Sequence, residues 1–350
     1  MKVCFVLPGR ATSPTGGYAV AYRYAVELHR RGHSVTILHG RTSKPGDGWK
    51  SRFAPGVYRL LTKSRPRWFE MPQDVEVCNV APLLPKSIPH ADVIVATGVL
   101  TAEPVALACE RQGARGIYLI QHFEDFVTSP SAVRATWRLP LEKVVVSKWL
   151  HDLVEKEGLS STVIVNGVDT KVFYPPAQRR RGEPAVMAMV SDVPWKRSDL
   201  VCEAFSIIAQ KDSRIRLVTF GTCSRPQDLP QQAVHHRLPH ATQLAGLYRD
   251  ASVFMCASDS EGFGLPVAEA MACGVPVVST DLDGIRSYAG EIPIYVRPGD
   301  SSSLARAALS LIDDEVGARK RSVAGLTLTS GMSADASAKR FAELCLNGAR

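Results

Sequence analysis

Short, mostly apolar stretches alternate along this chain with longer segments whose apolar residues recur at helical spacing. The short ones, such as "KVCFVL", "SVTILH" and "ADVIVATG", predict strands buried on both faces of a parallel sheet. The longer ones predict amphipathic helices, beginning with "GGYAVAYRYAVELHRRGH", which Gly32 is placed to end. A helix near "EPVALACERQG", the strand "GIYLIQH", the strand-into-helix "KVVVSKWLHDLVEKEG" and the strand "STVIVNG" follow. The alternation stops in "VDTKVFYPPAQRRRGEP" (168–184), whose prolines and arginines predict a linker at 171–184. It then restarts: strands "AVMAMVS", "RLVTFG", "SVFMCAS", "VPVVST" and "IPIYV", with helices "DLVCEAFSIIAQ", "TQLAGLYRDA", "LPVAEAMAC" and "SSSLARAALSLIDD" between and after them.

Strand–helix–strand order implies a parallel sheet covered by helices on both faces. The expected fold class is α/β, with two Rossmann-like, doubly wound parallel-sheet domains facing a deep cleft. The boundaries follow the punctuation: 1–170, a linker at 171–184, and 185–330. A last helix in 331–350, with Phe341, Leu344 and Cys345 on one face, is expected to pack back on the first domain. Ligands are expected beyond the carboxyl ends of the strands.

Composition adds exclusions. The chain has 350 residues, 45% of them hydrophobic and 22% charged, an ordinary globular balance for about two domains. No apolar run approaches the roughly 18 residues of a spanning helix, and "MKVCFVLPGR" reads as a buried first strand rather than a leader. A cytoplasmic protein is expected. Eight cysteines form no CxxC pair, and Cys4, Cys256 and Cys273 lie in apolar runs, so reduced, structural thiols are expected. The net charge of +8 is concentrated between Arg41 and Arg67, where basic residues alternate with aromatic ones. Residues 41–69 read as a solvated loop, a dock for an anionic acceptor, or a peripheral contact with an anionic membrane at its inner face. No nucleic-acid module accompanies the charge, so nucleic acid is not an expected partner.

The segment richest in chemistry is "DSEGFGLPVAEAMAC". It places Glu261 at the carboxyl end of a strand and Glu269 inside the helix that follows. Between them the amides of Gly262, Phe263, Gly264 and Leu265 converge at a helix start, with Pro266 tolerated in its first turn. Free amides and the helix dipole attract an anion, and glycines let a phosphate approach the backbone. Two carboxylates beside a phosphate must then serve something else, and carboxylates accept well from neutral hydroxyls. A diphosphate flanked by two polyols, a nucleotide sugar, fits.

At this point "EGFGLPVAEAMACGVPVV" resembles the E-x7-E signature of retaining GT-B glycosyltransferases of family four, the glycosyl transferases group 1. The segments "GGYAVAYRYAVELHRRGHSV", "VVVSKWLHDLV", "IVNGVDTKVFYPP" and "RPGDSSSLARAALSLIDD" are similar to that family too, so the resemblance covers nearly the whole chain. "YLIQHFEDF" is similar to rhamnosyltransferase-like members. The resemblance implies that Glu269 binds the nucleotide ribose and Glu261 the donor sugar. Lys196 would neutralise the diphosphate, Gly16 and Gly17 would face the phosphates, and His122 would stand near the donor sugar. It implies retaining, metal-independent hexosyl or deoxyhexosyl transfer without cofactor, in which the donor phosphate takes the acceptor's proton. The acceptor would be a glycan, a lipid-linked or a small-molecule hydroxyl, as in polysaccharide or glycolipid biosynthesis.

One departure stands out. Where the family carries Gly-Arg, this chain has Val190 and Ser191, so the second diphosphate cation is either missing or comes from elsewhere, with Arg197 the candidate. Two alternatives therefore stand beside transfer: a nucleotide-sugar epimerase on the same fold, and a catalytically weakened sugar-nucleotide-binding partner. Glu124 and Asp125 are placed near an acceptor. The DxD of "TDLDG" (Asp281, Asp283) and the histidines of "HHRLPH" (His235, His236, His240) are poor metal sites by position and spacing, and no metal is expected. "GRATSPTGG" is not GxGxxG, and the second strand ends at His39–Gly40 without an acid, which argues against a nicotinamide dehydrogenase.

Overall fold

A computed structural model describes residues 1–10, 12–41, 62–63, 65–177 and 182–347. Most of the basic segment 41–69, namely 42–61 and 64, lies outside the described residues, as do 178–181 of the expected linker. The described end of the basic segment is engaged within the fold. The Arg65 guanidinium donates to the carbonyls of Met71, Pro72, Gln73 and Val75, while Trp68 and Phe69 pack on the Tyr22 ring at 5.6 and 5.1 Å. Among the described residues no helix is long and apolar enough to cross a membrane.

The chain forms two units. The first holds β1 (Lys2–Pro8), α1 (Gly16–Arg30), β2 (Ser34–Gly40), β3 (Thr62–Lys63), β4 (Glu76–Val80), β5 (Val93–Ala96), α2 (Val99–Gln112), β6 (Arg115–Ile120), α3 (Pro130–Trp137), β7 (Glu142–Val145), α4 (Lys148–Lys156) and β8 (Thr162–Val163). The second holds β9 (Ala185–Met189), α5 (Ser198–Lys211), β10 (Arg216–Gly221), β11 (Val234–Arg237), α6 (Ala241–Asp250), β12 (Val253–Cys256), α7 (Leu265–Ala272), β13 (Val277–Thr280), α8 (Asp283–Ala289), β14 (Ile294–Val296), α9 (Ser301–Asp313) and α10 (Glu315–Ser330). The last helix, α11 (Ala334–Asn347), returns to the first unit.

Each sheet is doubly wound. The first runs β3-β4-β2-β1-β5-β6-β7-β8, parallel except for β3; the second runs β11-β10-β9-β12-β13-β14. In the second the chain steps outward from β9 to β11, then returns to the other side of β9 with β12, which is the Rossmann order. Strand order thus reverses between β9 and β12, and in the first unit between β1 and β5. Apolar strands buried on both faces drive this: β1 and β12 are almost entirely sequestered, as the short hydrophobic runs predict. In the second unit Phe205 and Leu200 of α5 and Leu304 of α9 join the strands in one core.

The crossing between units differs from the proline-based reading. The first unit ends at Val165 and the second begins at Asn166, ahead of 171–184. The reason is local pairing. Val168 bridges Ser333, with the Val168 amide donating to Met332 O at 2.8 Å and the Ala334 amide to Val168 O at 3.0 Å. Gly167 lies so close that a Cβ there would stand 2.2 Å from the Ser333 carbonyl carbon. Phe173 is then buried and meets the Tyr248 ring edge-on at 5.9 Å, so the proline-flanked stretch is anchored in the second unit. In α11 the Phe341 ring stacks on Tyr24 at 4.5 Å, and the Arg115 guanidinium donates to the terminal carbonyls of Leu344 and Cys345.

Candidate functional site

In an open parallel sheet the loops on either side of the reversal point splay apart and leave a crevice at the strands' carboxyl ends. In the second unit those loops follow β9 and β12, and they carry Lys196 and Glu261. A short 3-10 turn, Pro194–Lys196, ends the β9 loop. The Asp259 amide donates to Trp195 O at 2.8 Å and ties the two loops together. Lys196 Nζ then lies 2.6 Å from Glu261 Oε1. Glu261 is buried, and a buried carboxylate needs such a partner. Ser258 Oγ donates to the same oxygen at 2.8 Å, and Thr280 Oγ1 donates to Ser258 O at 2.5 Å. Neither bond to Glu261 uses Oε2. The expected lysine and the expected sugar-binding acid therefore meet, but they meet each other: Lys196 is not a bare cation waiting for phosphate.

Beyond Glu261 the chain turns tightly into α7. Gly264 caps the helix at φ 86°, a left-handed conformation that costs a glycine nothing and any other residue strain. Phe263 is buried and stacked on Tyr288 at 4.3 Å, and the Tyr288 hydroxyl donates to Gly264 O at 3.4 Å. Gly262 is buried beside it. In the first turn of α7 the Val267 and Ala268 amides bond Gly264 O at 3.0 and 3.3 Å, Pro266 has no amide to lose, and the Leu265 amide has no carbonyl within the helix to bond. Glu269 falls one turn after Leu265, on the same face of α7. Its Oε2 accepts from the Tyr248 hydroxyl at 3.2 Å.

Arg197 is already paired within these loops. It stands at φ 50° at the start of α5, and its guanidinium donates to Asp199 and to Asp259. These two acids set two formal negative charges against its single positive one. They hold its pKa above the usual arginine range, and the Asp199 carboxyl is in turn held down by the bond to Arg197. The Val190–Ser191 departure also has a structural content. Val190 is fully buried, its amide bonds to Phe220 O at 2.9 Å, and Ser191 Oγ accepts from the Val193 amide at 3.2 Å. Ser191 and Ser198 exchange two further bonds of 2.8 Å, closing the loop that presents Lys196.

The two metal candidates find other partners. Asp281 pairs with Arg286 at 2.7 Å, which lowers its pKa, and Asp283 opens α8. His235 bonds Thr219 Oγ1 and Cys223 O, whereas the His240 ring accepts from the Gln243 amide as the cap of α6. His236 lies between them on β11.

In the first unit, Gly16 and Gly17 open α1 at the carboxyl end of β1. Gln121 Nε2 donates to Gly17 O at 3.0 Å, and a Cβ on Gly17 would touch that amide at 3.4 Å. The glycine pair is therefore fastened to the end of β6, one residue before His122. The His122 ring donates from Nδ1 to Phe123 O at 2.9 Å and meets Phe126 edge-on at 5.0 Å. His39, standing where an adenosine-binding chain would keep an acid, donates from Nδ1 to Gly9 O at 2.8 Å. Its Nε2 accepts from the Tyr22 hydroxyl at 3.0 Å, and burial lowers its pKa, so the ring is neutral. Asp125 is exposed.

Glu124 is a buried carboxylate of this unit that titrates near neutrality. It accepts from the Val99 amide at the start of α2, and burial raises its pKa to about 7. The folded state therefore holds a proton that the unfolded chain has released, and stability falls as pH rises from 4.5 to about 7. The shift corresponds to ~3 kcal/mol. We expect Glu124→Gln to gain stability relative to the unsubstituted chain by about that amount between pH 4.5 and 7.5, read from denaturant titrations. Parallel stability curves for the two proteins would contradict the assignment.

Sequence reasoning missed Tyr248, Thr280, Tyr288 and Gly284, which reach the Glu261–Glu269 segment only through the tertiary fold, and Ser258, which bonds Glu261 from three residues away. Beyond that neighbour, the available signal was the glycine of "TDLDG". A Cβ on Gly284 would stand 2.0 Å from Glu261 O.

Residues 184–314 match the family described as Glycosyl transferases group 1. A phosphatidyl-myo-inositol mannosyltransferase of Mycobacterium leprae is 31% identical over 204 residues, covering 52% of this chain and 54% of that protein. The chain spans about half the length of the curated relatives it matches. Among solved structures, the sucrose-phosphate synthase of Thermosynechococcus elongatus superimposes with a TM-score of 0.77 at 16% identity, over 99% of this chain and 98% of that one. The Anabaena protein HepE, solved in complex with UDP-glucose, has a TM-score of 0.73 at 17% identity, over 99% and 100%. At these identities the likeness is one of fold, and the two Rossmann-like units are of the GT-B class.

Proposed function

We infer that this chain, whose residues 184–314 match the glycosyl transferases group 1, moves a sugar from a nucleotide-diphosphate sugar to a hydroxyl acceptor. The observation that carries the reading is the meeting of Lys196 with Glu261 at the reversal point of the second sheet, 2.6 Å apart, beside the glycine-capped start of α7. In this reading Lys196 is shared between Glu261 and the diphosphate, and the amides of Phe263, Gly264 and Leu265 face the phosphates or the sugar. Glu261 takes the sugar's hydroxyls and Glu269 those of the ribose. The roles that the resemblance gives Gly16 and Gly17, towards the phosphates, and His122, towards the donor sugar, belong to the same reading.

The chemistry proposed is retaining transfer of a hexose or deoxyhexose without a metal. The residues found at the site orient the donor and stabilise charge on the leaving diphosphate; the donor phosphate receives the acceptor's proton. The acceptor is a glycan, a lipid-linked or a small-molecule hydroxyl. HepE, of the same fold, was solved with UDP-glucose, which makes UDP-sugars the first donors to try. A weakened enzyme is the second reading, favoured by Arg197: its two carboxylate partners leave Lys196 as the principal phosphate cation in these loops.

The test is a panel of UDP-, GDP-, ADP- and dTDP-sugars with and without sugar and lipid-linked acceptors, read by nucleoside diphosphate release and by NMR of the product's anomeric centre. Acceptor-dependent release with retained configuration supports transfer. Release of a free, epimerised sugar without acceptor would identify an epimerase. Tight nucleotide binding with no turnover would identify the weakened form.

A further inference from the structure

Glu269 is a half-buried carboxylate on the face of a helix, and such a side chain has three torsions to fix before it can grip a ligand. The fold supplies a fixing partner from another element. Tyr248, on α6, is completely buried. Its ring is boxed edge-on by Phe173, Phe220 and Phe254, with centroids at 5.9, 5.7 and 5.4 Å. A ring held on three sides has a stationary hydroxyl, and that hydroxyl donates to Glu269 Oε2. Burial first, and then the charge of Glu269, push the phenol's pKa well above its ordinary value, so the group is a permanent donor and never a competing anion. Each carboxylate oxygen has two acceptor directions. The tyrosine hydroxyl takes one of those of Oε2 and so fixes the orientation of the carboxylate.

We propose that Tyr248 is the positioning residue that lets Glu269 read a vicinal diol, and so makes the site select ribonucleotides over nucleotides lacking those hydroxyls. The proposal rests on the reading of Glu269 as the ribose acid, and it assigns the selectivity to a residue that touches no ligand. Without the hydroxyl the carboxylate must be ordered at the moment of binding, at the expense of affinity for the diol alone.

The experiment is calorimetric titration of UDP, GDP and ADP, each against its 2′,3′-dideoxy counterpart, on the full chain and on Tyr248→Phe. The unsubstituted protein is expected to prefer the ribo form of its nucleotide about 10-fold, as loss of a hydroxyl-to-carboxylate pair implies. In Tyr248→Phe the ribo affinity should fall about 5-fold with the dideoxy affinity unchanged. Equal weakening of both forms, or an unchanged ratio, would overturn the proposal and leave Tyr248 a packing residue. No ribo preference in the unsubstituted protein would instead overturn the ribose reading of Glu269, and the proposal with it. Should Tyr248→Phe fold poorly, Phe220→Leu decides, since it keeps the hydroxyl and opens one side of the ring's box: the ribo affinity is expected to fall with the dideoxy affinity unchanged, and an unchanged ratio overturns the proposal.

Discussion

Replacing Lys196 by methionine is expected to lower kcat/KM for sugar transfer by about 10³-fold, because the leaving diphosphate loses its principal charge-assisted contact in the β9–β12 loops. The same change should also cost stability. Glu261 is 7% exposed, and Lys196 is the cation that meets it. Methionine keeps the length and apolar stem of lysine but leaves that carboxylate without its counter-charge, at about 2 kcal/mol. Ser258 still donates to Oε1, which holds the cost below that of a carboxylate left wholly unsatisfied. The two effects separate in a double substitution. Lys196→Met with Glu261→Gln removes the unpaired charge and should recover most of the stability while activity stays lost. Denaturant titration and steady-state kinetics on the three variants check this. Activity within threefold of the parent in Lys196→Met would remove Lys196 from the phosphate site.

The second large effect comes from a residue with no functional group. Gly284 opens the first turn of α8, and an added Cβ would meet Glu261 O at 2.0 Å and the Gly262 carbonyl carbon at 3.2 Å. Neither neighbour is a side-chain end that can swing away; both are backbone, and they are the backbone of the site. Gly284→Ala must therefore move the Glu261–Gly264 turn or shift α8. The expected cost is about 2–4 kcal/mol in stability, with kcat/KM down at least ~30-fold, since misplacement by about 1 Å is severe for catalysis. Gly246→Ala is the matched control. It lies in α6 with nothing within 4 Å of its added Cβ, and should gain up to about 1 kcal/mol from helix propensity. If both alanines were neutral, the close packing of α8 on the Glu261 turn would be wrong.

These two positions show where sequence reading succeeds and where it stops. The E-x7-E stretch was legible because its geometry is local: a strand end, a glycine turn and a helix start place both acids within one short segment. Lys196 was legible by resemblance, but its bond to Glu261 depends on β9 and β12 being neighbours, which adjacency in sequence does not imply. Tyr248 and Gly284 reach the site through packing, and their own neighbourhoods look like an ordinary helix and turn.

The same contrast holds for the fold. Strands buried on both faces stood out as apolar runs. The edge strand β11 did not, because two of its four residues are histidines and the sheet covers one flank only. The helix α10 was invisible to hydrophobic periodicity because it packs through small residues. Ala318, Gly325 and Thr329 are its buried positions, and Gly325 leaves room for Met271 of α7. The prolines at 175 and 176 read as a domain boundary, whereas the boundary is set by the pairing of Val168 with Ser333 across some 165 positions of sequence, between 168 and 333.

The central claim is that the loops after β9 and β12, with α7, form a nucleotide-diphosphate site whose ribose end is Glu269. Calorimetric titration of UDP, GDP, ADP and dTDP into the full chain and into Glu269→Ala tests it without knowledge of sugar or acceptor. The account predicts micromolar-range binding of one nucleotide, weakened at least about 10-fold in Glu269→Ala, which leaves Lys196 and the α7 amides in place. Binding that is indifferent to Glu269→Ala, or no binding of any nucleotide at millimolar concentration, would contradict it.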